Sequence, residues 1–212
     1  MSYPKQQGVI PDYTGPPPID LTVPETLIDA LKQGNNERVN HYISNPTCPD
    51  ELNKCGFNNQ RPLHLVCFRG DHVIAKRLLD NGADIEGLTK FNESPLLIAV
   101  QSGSIRLVSL LLEYKANVTI RDENGKSISH YAVRQQFIGM LHYLLEKQLF
   151  DFNARDKFGK TPLQDSIDKA KYEVAMEIAK YRPFLIQERD HQGSNAIHYC
   201  AAKKSFIHLY SM

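Results

Sequence analysis

Apolar residues along this chain come in paired short bursts rather than long runs. Leu63–Phe68 and Val73–Leu79 form one pair, separated by Gly70-Asp71. Within each burst the apolar positions follow the three- and four-residue spacing of a helix that buries one stripe. Pro62 opens the first burst, where its missing N–H costs nothing at the first helical turn. Gly82 follows the second, where a left-handed C-cap is expected. The pattern predicts two short antiparallel helices joined by a tight turn. Isolated helices below about 12–15 residues are marginal in water, so neighbouring units must complete the core.

The unit recurs in register. Arg61-Pro62-Leu63-His64 is followed at +33 by Ser94-Pro95-Leu96-Leu97 and at +33 again by Ser127-Ile128-Ser129-His130. Two steps of +34 then reach Thr161-Pro162-Leu163-Gln164 and Asn195-Ala196-Ile197-His198. Leucine pairs trail these starts at Leu78-Leu79, Leu111-Leu112 and Leu144-Leu145, and Ile178-Ala179 takes their place in the fourth copy. Asp122/Gly125, Asp156/Gly159 and Asp190/Gly193 precede them at fixed offsets. The leucine pairs are expected in the core, with Leu79 and Leu112 among the costly truncations.

A 33-residue period with a Thr-Pro-Leu-His start and a late leucine pair resembles the ankyrin repeat. The resemblance runs over about residues 25–212 and implies an all-α solenoid of helix-turn-helix units with short β-hairpin or loop connections. The expected layout is a proline-rich, disordered tail over 1–22, then a repeat domain over 23–212. Within it we expect a capping pair at 25–44 and units near 56–88, 89–121, 122–155, 156–189 and 190–212. Counting forward from Ala196 puts the last unit's leucine pair at Met212, so that unit is incomplete. The chain is therefore expected to be a fragment or shortened product of a longer protein.

Composition narrows the function. The 212 residues carry 25 basic and 24 acidic side chains, which argues against a nucleic-acid binder working through bulk charge. No apolar run approaches the ~18 residues of a membrane span, so no direct membrane contact is expected. The first residues lack the apolar core of a signal peptide. The triplets at Asn92 and Asn117 then read as chance glycosylation matches. Four cysteines are too few for a disulfide scaffold and fit a reducing compartment. We expect a cytoplasmic monomer, with the nucleus as the alternative address.

Several tempting motifs dissolve into the repeat. Gly125-Lys126-Ser127 and Gly159-Lys160-Thr161 imitate the end of a phosphate loop, but Ile120 and Ala154 stand where its first glycine belongs. His64, His130 and His198 recur on the period, which keeps them apart rather than in one site. The resemblance implies that they bond to backbone near the next unit. Cys48 and Cys55, with His41 and His64, lack metal-ligand spacing. No catalytic, cofactor or metal site is expected, so the reading is non-enzymatic. Leu145 followed by Asp151-Phe152-Asn153 resembles the pattern that asparaginyl hydroxylases use on ankyrin repeats, marking Asn153 as a modification candidate.

The resemblance further implies binding through a concave face made of hairpin tips and the exposed sides of first helices. Transferred by register, its apolar candidates are Phe57, Phe91 and Phe158 at the tips and Phe68 beside them, with Gln60 as a polar neighbour. Its basic candidates are Arg69, Lys90, Lys126, Arg134, Lys157, Lys160 and Lys169, joined by Lys203. Glu93, Glu123 and Asp168 are the acidic residues assigned to this face, so it shows a basic surplus that the whole chain lacks. The expected partner is a protein segment of acidic and apolar character. The alternative is the targeting or regulatory region of a larger acyltransferase, kinase or channel.

Overall fold

The computed structural model describes residues 26–45, 49–134 and 138–203. Among them are twelve α-helices and no strand. The proline-rich tail, Cys48 and the end of the last unit lie outside the described residues.

Helices pair as the period demands. The pairs are α1 (Leu27–Gln33) with α2 (Asn36–Ser44), α4 (Pro62–Arg69) with α5 (His72–Asp80), and α6 (Pro95–Ser102) with α7 (Ile105–Glu113). They continue with α8 (Ile128–Ala132) and α9 (Ile138–Glu146), then α10 (Pro162–Asp168) and α11 (Tyr172–Tyr181). A short α3 (Pro49–Asn53) follows the first pair, and α12 (Ala196–Ala202) opens the last unit. Gly34, Gly70 and Gly103 end first helices with φ of 72°, 73° and 77°, a left-handed turn that suits glycine. Asp71 then caps α5 by accepting from the N–H groups of Val73 and Ile74.

The first helices stack on one another from α1 through α4, α6, α8 and α10 to α12. The second helices touch less closely. One continuous core results. Leu78, Leu111 and Leu144 are fully buried, while Leu112 and Leu145 are only half-buried. Thus the first leucine of each pair is the deep one, and the expectation for Leu112 needs correcting. Adjacent residues on a helix point about 100° apart, so the two are not covered alike, although Leu79 is still buried at 8% exposure.

The starts of the units are tied by side chains. Thr161 caps α10 through Gln164 N–H at 3.4 Å, and Asn195 caps α12 through His198 N–H at 3.1 Å. His64 accepts from the Arg61 N–H at Nδ1 (3.0 Å) and donates from Nε2 to the Gly87 carbonyl (2.9 Å). His130 does the same between the Ser127 N–H (3.3 Å) and the Lys160 carbonyl (3.0 Å). In the fourth unit Gln164 takes over, accepting from the Thr161 N–H and donating to the carbonyls of Glu188 and Ser194. Burial holds the His64 and His130 pKa values below the ordinary histidine range, in keeping with neutral rings.

Candidate functional site

The tips of the third, fourth and fifth units are each shaped by one side chain. Asp122 Oδ1 accepts from the N–H groups of Asn124 and Lys126, both at 2.8 Å. Asp156 does so for Phe158 (2.9 Å) and Lys160 (3.0 Å), and Asp190 for Gln192 and Ser194. These are Asx turns, which free the next residues to point outward. Gly125 and Gly159 supply the positive φ that follows, at 74° and 76°. That role accounts for the phosphate-loop imitation.

Tip is joined to tip. The N–H of Lys90 donates to the Asn58 carbonyl, that of Glu123 to Phe91, and that of Lys157 to Asn124, each at 2.8 Å. His191 N–H reaches the Phe158 carbonyl at 3.0 Å. A second ladder runs beside it: Arg121 donates to the carbonyls of Gly125 and Arg155, and Arg155 to those of Gly159 and Arg189.

The exposed tip residues fall into two registers. Phe91 and Phe158 are equivalent, each four residues before its unit's proline, whereas Phe57 aligns with Lys90 and Lys157. Lys90 lies over the Phe91 ring and Lys157 over Phe158, both at 5.2 Å, within cation–π range. Phe57 is 79% exposed and Phe68 70%. Gln60, His64, Leu65, Phe68, Glu93 and Gln101 line a hollow of about 330 Å³ near this end. Arg69 donates to the Lys32 carbonyl at 3.1 Å. Arg134 stacks over Tyr131 at 5.2 Å.

The basic surplus is smaller than the sequence implied. Lys126 pairs with Asp165 at 2.6 Å, and Lys160 with Asp168 at 3.1 Å; Lys203 also reaches Asp168, at 3.3 Å. Burial opposes the charges of Lys160 and Asp168, but their pairing, helped by Tyr199 at the lysine and Lys203 at the aspartate, raises the lysine and lowers the aspartate. Asp122, Asp156 and Asp165 belong to this face and were missed, because they sit at hairpin and helix positions that normally turn inward. With Asn124, Phe158, Arg134 and Lys169 they line a second pocket of about 300 Å³, where four carboxylates face four cations. Its register could have revealed it: Asp165 occupies the position of Tyr131 and Tyr199. Asn153 is exposed, its N–H donating to Asp151 at 2.9 Å, and lies outside both pockets. Among the described residues no helix is long and apolar enough to cross a membrane.

Comparison with known proteins agrees with this geometry. The model for ankyrin repeats (3 copies) matches residues 27–122 and 76–156. Rabankyrin-5 of Mus musculus is 33% identical over 66% of the chain, which spans 12% of that protein. Ankyrin repeat protein OPG189 of vaccinia virus (strain Copenhagen) is 27% identical over 57% of the chain, which spans 21% of it. Phosphocholine transferase AnkX of Legionella pneumophila is 26% identical over 66% of the chain, which spans 15% of it. The chain thus covers about a fifth or less of these relatives' own lengths. Histidine-tied helix pairs, Asx-turned tips and the family match over most of the array lead to one conclusion: the chain belongs to the ankyrin repeat family, whose stacked units are protein-interaction modules.

Proposed function

We propose that this chain is a non-enzymatic binding module that takes a partner segment of acidic and apolar character along the first-helix face. The observation that carries the reading is the alternation of exposed rings and cations on one edge. Phe57 and Phe68 lie open at one end, and Phe91 and Phe158 each carry a lysine across the ring. Rigid aromatic anchors are the usual hot spots of an interface, and the unit stack holds them with little ordering cost on binding. Lys90, Lys157, Lys169, Arg134 and Arg69 supply the charge that draws an acidic partner. Lys126 and Lys160 act as parts of the pocket wall, and Gln60 as a polar contact beside Phe57. The free thiols of Cys55, Cys67 and Cys200 suit the reducing cytoplasm.

The test compares proteins captured by the wild type and by a Phe57→Ser, Phe91→Ser, Phe158→Ser triple variant of equal melting temperature. Partners lost only from the variant support the reading, and identical capture by both sinks it.

A second reading is that the array is the targeting region of a larger enzyme or membrane protein. It is supported by long relatives that include phosphocholine transferase AnkX and a transient receptor potential cation channel subfamily A member 1 homolog of Caenorhabditis elegans. The full-length transcript decides it: an open reading frame ending at residue 212 would reject it.

A further inference from the structure

The fourth unit breaks a pattern kept by the third and fifth. In those units the hairpin aspartate has a phenol donor nine residues on: Tyr131 donates to Asp122 Oδ2 at 3.1 Å, and Tyr199 to Asp190 Oδ2 at 2.6 Å. In the fourth unit the aspartate is Asp156, and the residue nine on is Asp165. A second carboxylate stands where a donor belongs. Asp156 is 5% exposed and Asp165 2%, and Oδ2 of each is buried with no hydrogen-bond partner. The Lys126 ammonium meets Asp165 Oδ1 at 2.6 Å but stays 4.0 Å from Asp156 Oδ2, beyond hydrogen-bond reach.

Leaving buried acceptors unmet is destabilising, and native structures rarely do so without cause. Both residues line the 300 Å³ pocket, and that pocket is polarised in depth. Its buried floor holds Asp122, Asp156 and Asp165 against Lys126; its more open rim holds Arg134, Lys160 and Lys169 against Asp168. Three carboxylates there meet one ammonium, so the floor is short of positive charge, and two of its carboxylate oxygens have no donor. Phe158, also in the lining, offers an aromatic wall.

We propose that this pocket receives an arginine side chain of the partner, its guanidinium bridging Asp156 and Asp165. The inference rests on the partner-binding reading above. A guanidinium fits better than an ammonium: its planar fork of five donors serves two carboxylates at once, and it gives up water more readily. Entry requires the Lys126 side chain to swing toward the rim, which its flexible stem allows. The rim cations would then meet acidic residues flanking that arginine.

The test uses N-acetyl-arginine amide and its neutral isostere N-acetyl-citrulline amide as probes, titrated into the isotope-labelled chain and followed by amide shifts. Asp165→Asn keeps the shape and removes the charge, and Asp165→Tyr restores the phenol of the third and fifth units. The arginine probe should shift Lys126, Asp156, Phe158 and Asp165 saturably, and bind about tenfold or more tightly than citrulline. That preference should vanish in Asp165→Asn, while Asp165→Tyr melts no lower than the wild type. Equal responses to the two probes, including no response to either, overturn the proposal, as does an arginine preference that survives in Asp165→Asn. Partner capture separates the two readings. A partner lost from the triple phenylalanine variant but kept by Asp165→Asn overturns the arginine pocket and leaves the wider face standing.

Discussion

His130 reaches across a unit boundary, its Nε2–H donating to the Lys160 carbonyl at 3.0 Å while Nδ1 accepts from the Ser127 N–H. Accepting at Nδ1 needs the neutral ring, whereas the Nε2–H bond is open to either form. His64 is held the same way, and burial lowers both pKa values from 6.5. Below that ordinary value the unfolded chain takes up protons that the folded chain does not. Stability is therefore full above pH 6.5 and falls as the pH drops toward the folded values. Melting temperature should decline as the pH falls below about 6.5. Gln164 fills the same role without titrating, so His64→Gln with His130→Gln should flatten that decline. An unchanged slope in the double variant would refute the assignment.

The leucine pairs are not equal. Leu111→Ala, at a fully buried site, should cost about 2–5 kcal/mol in a urea melt. Leu112→Ala, at a half-buried one, should cost clearly less. A reversed order would mean the helix is rotated from the described register.

Gly159 and Gly193 share a positive φ, 76° and 77°, but not their surroundings. A Cβ on Gly159 would come within 2.9 Å of the His191 backbone nitrogen, whereas one on Gly193 would meet nothing within 4 Å. Alanine at Gly193 should show only the left-handed penalty, about 1–2 kcal/mol. Alanine at Gly159 should cost more, because it also pushes apart the tips joined by His191 and Phe158. Equal midpoint shifts for the two variants would count against the tip ladder.

Thiol chemistry should separate the cysteines. Cys55 is exposed, while Cys67 and Cys200 are buried, and burial pushes the thiol pKa of both upward. In the folded protein at neutral pH, an alkylating reagent followed by peptide mass mapping should label Cys55 first by a wide margin. Prompt labelling of Cys67 would show that the first unit opens readily.

Much of this was legible from spacing. Pro62, Pro95 and Pro162 mark helix starts, Gly70 and Gly103 mark turns, and the recurrence of Asp-x-x-Gly marks the tips, because each answers a local backbone demand. What stayed hidden depends on a neighbour. Asp165 reads as an ordinary polar residue on a short helix until its position is set beside Tyr131 and Tyr199. The basic surplus was overcounted because Asp165 was left out of the face, and it meets Lys126 from 39 residues away, a pairing that only stacking creates. Phe57 was grouped with Phe91 and Phe158 although it stands one place earlier, since the first unit's tip is built on Asn58 and Asn59, both at positive φ.

The tip ladder also sets how the molecule deforms. Successive tips share backbone hydrogen bonds, doubled over part of the row by the arginine ladder, while the second helices meet through side chains, as Arg77 does with Ser44 and His142 with Glu177. The tip edge therefore acts as a stiff spine and the second-helix edge as a compliant one. Bending by a partner should fan the outer helices apart while tip spacing stays constant. Under mechanical load along the stack, the spine should be the last part to yield.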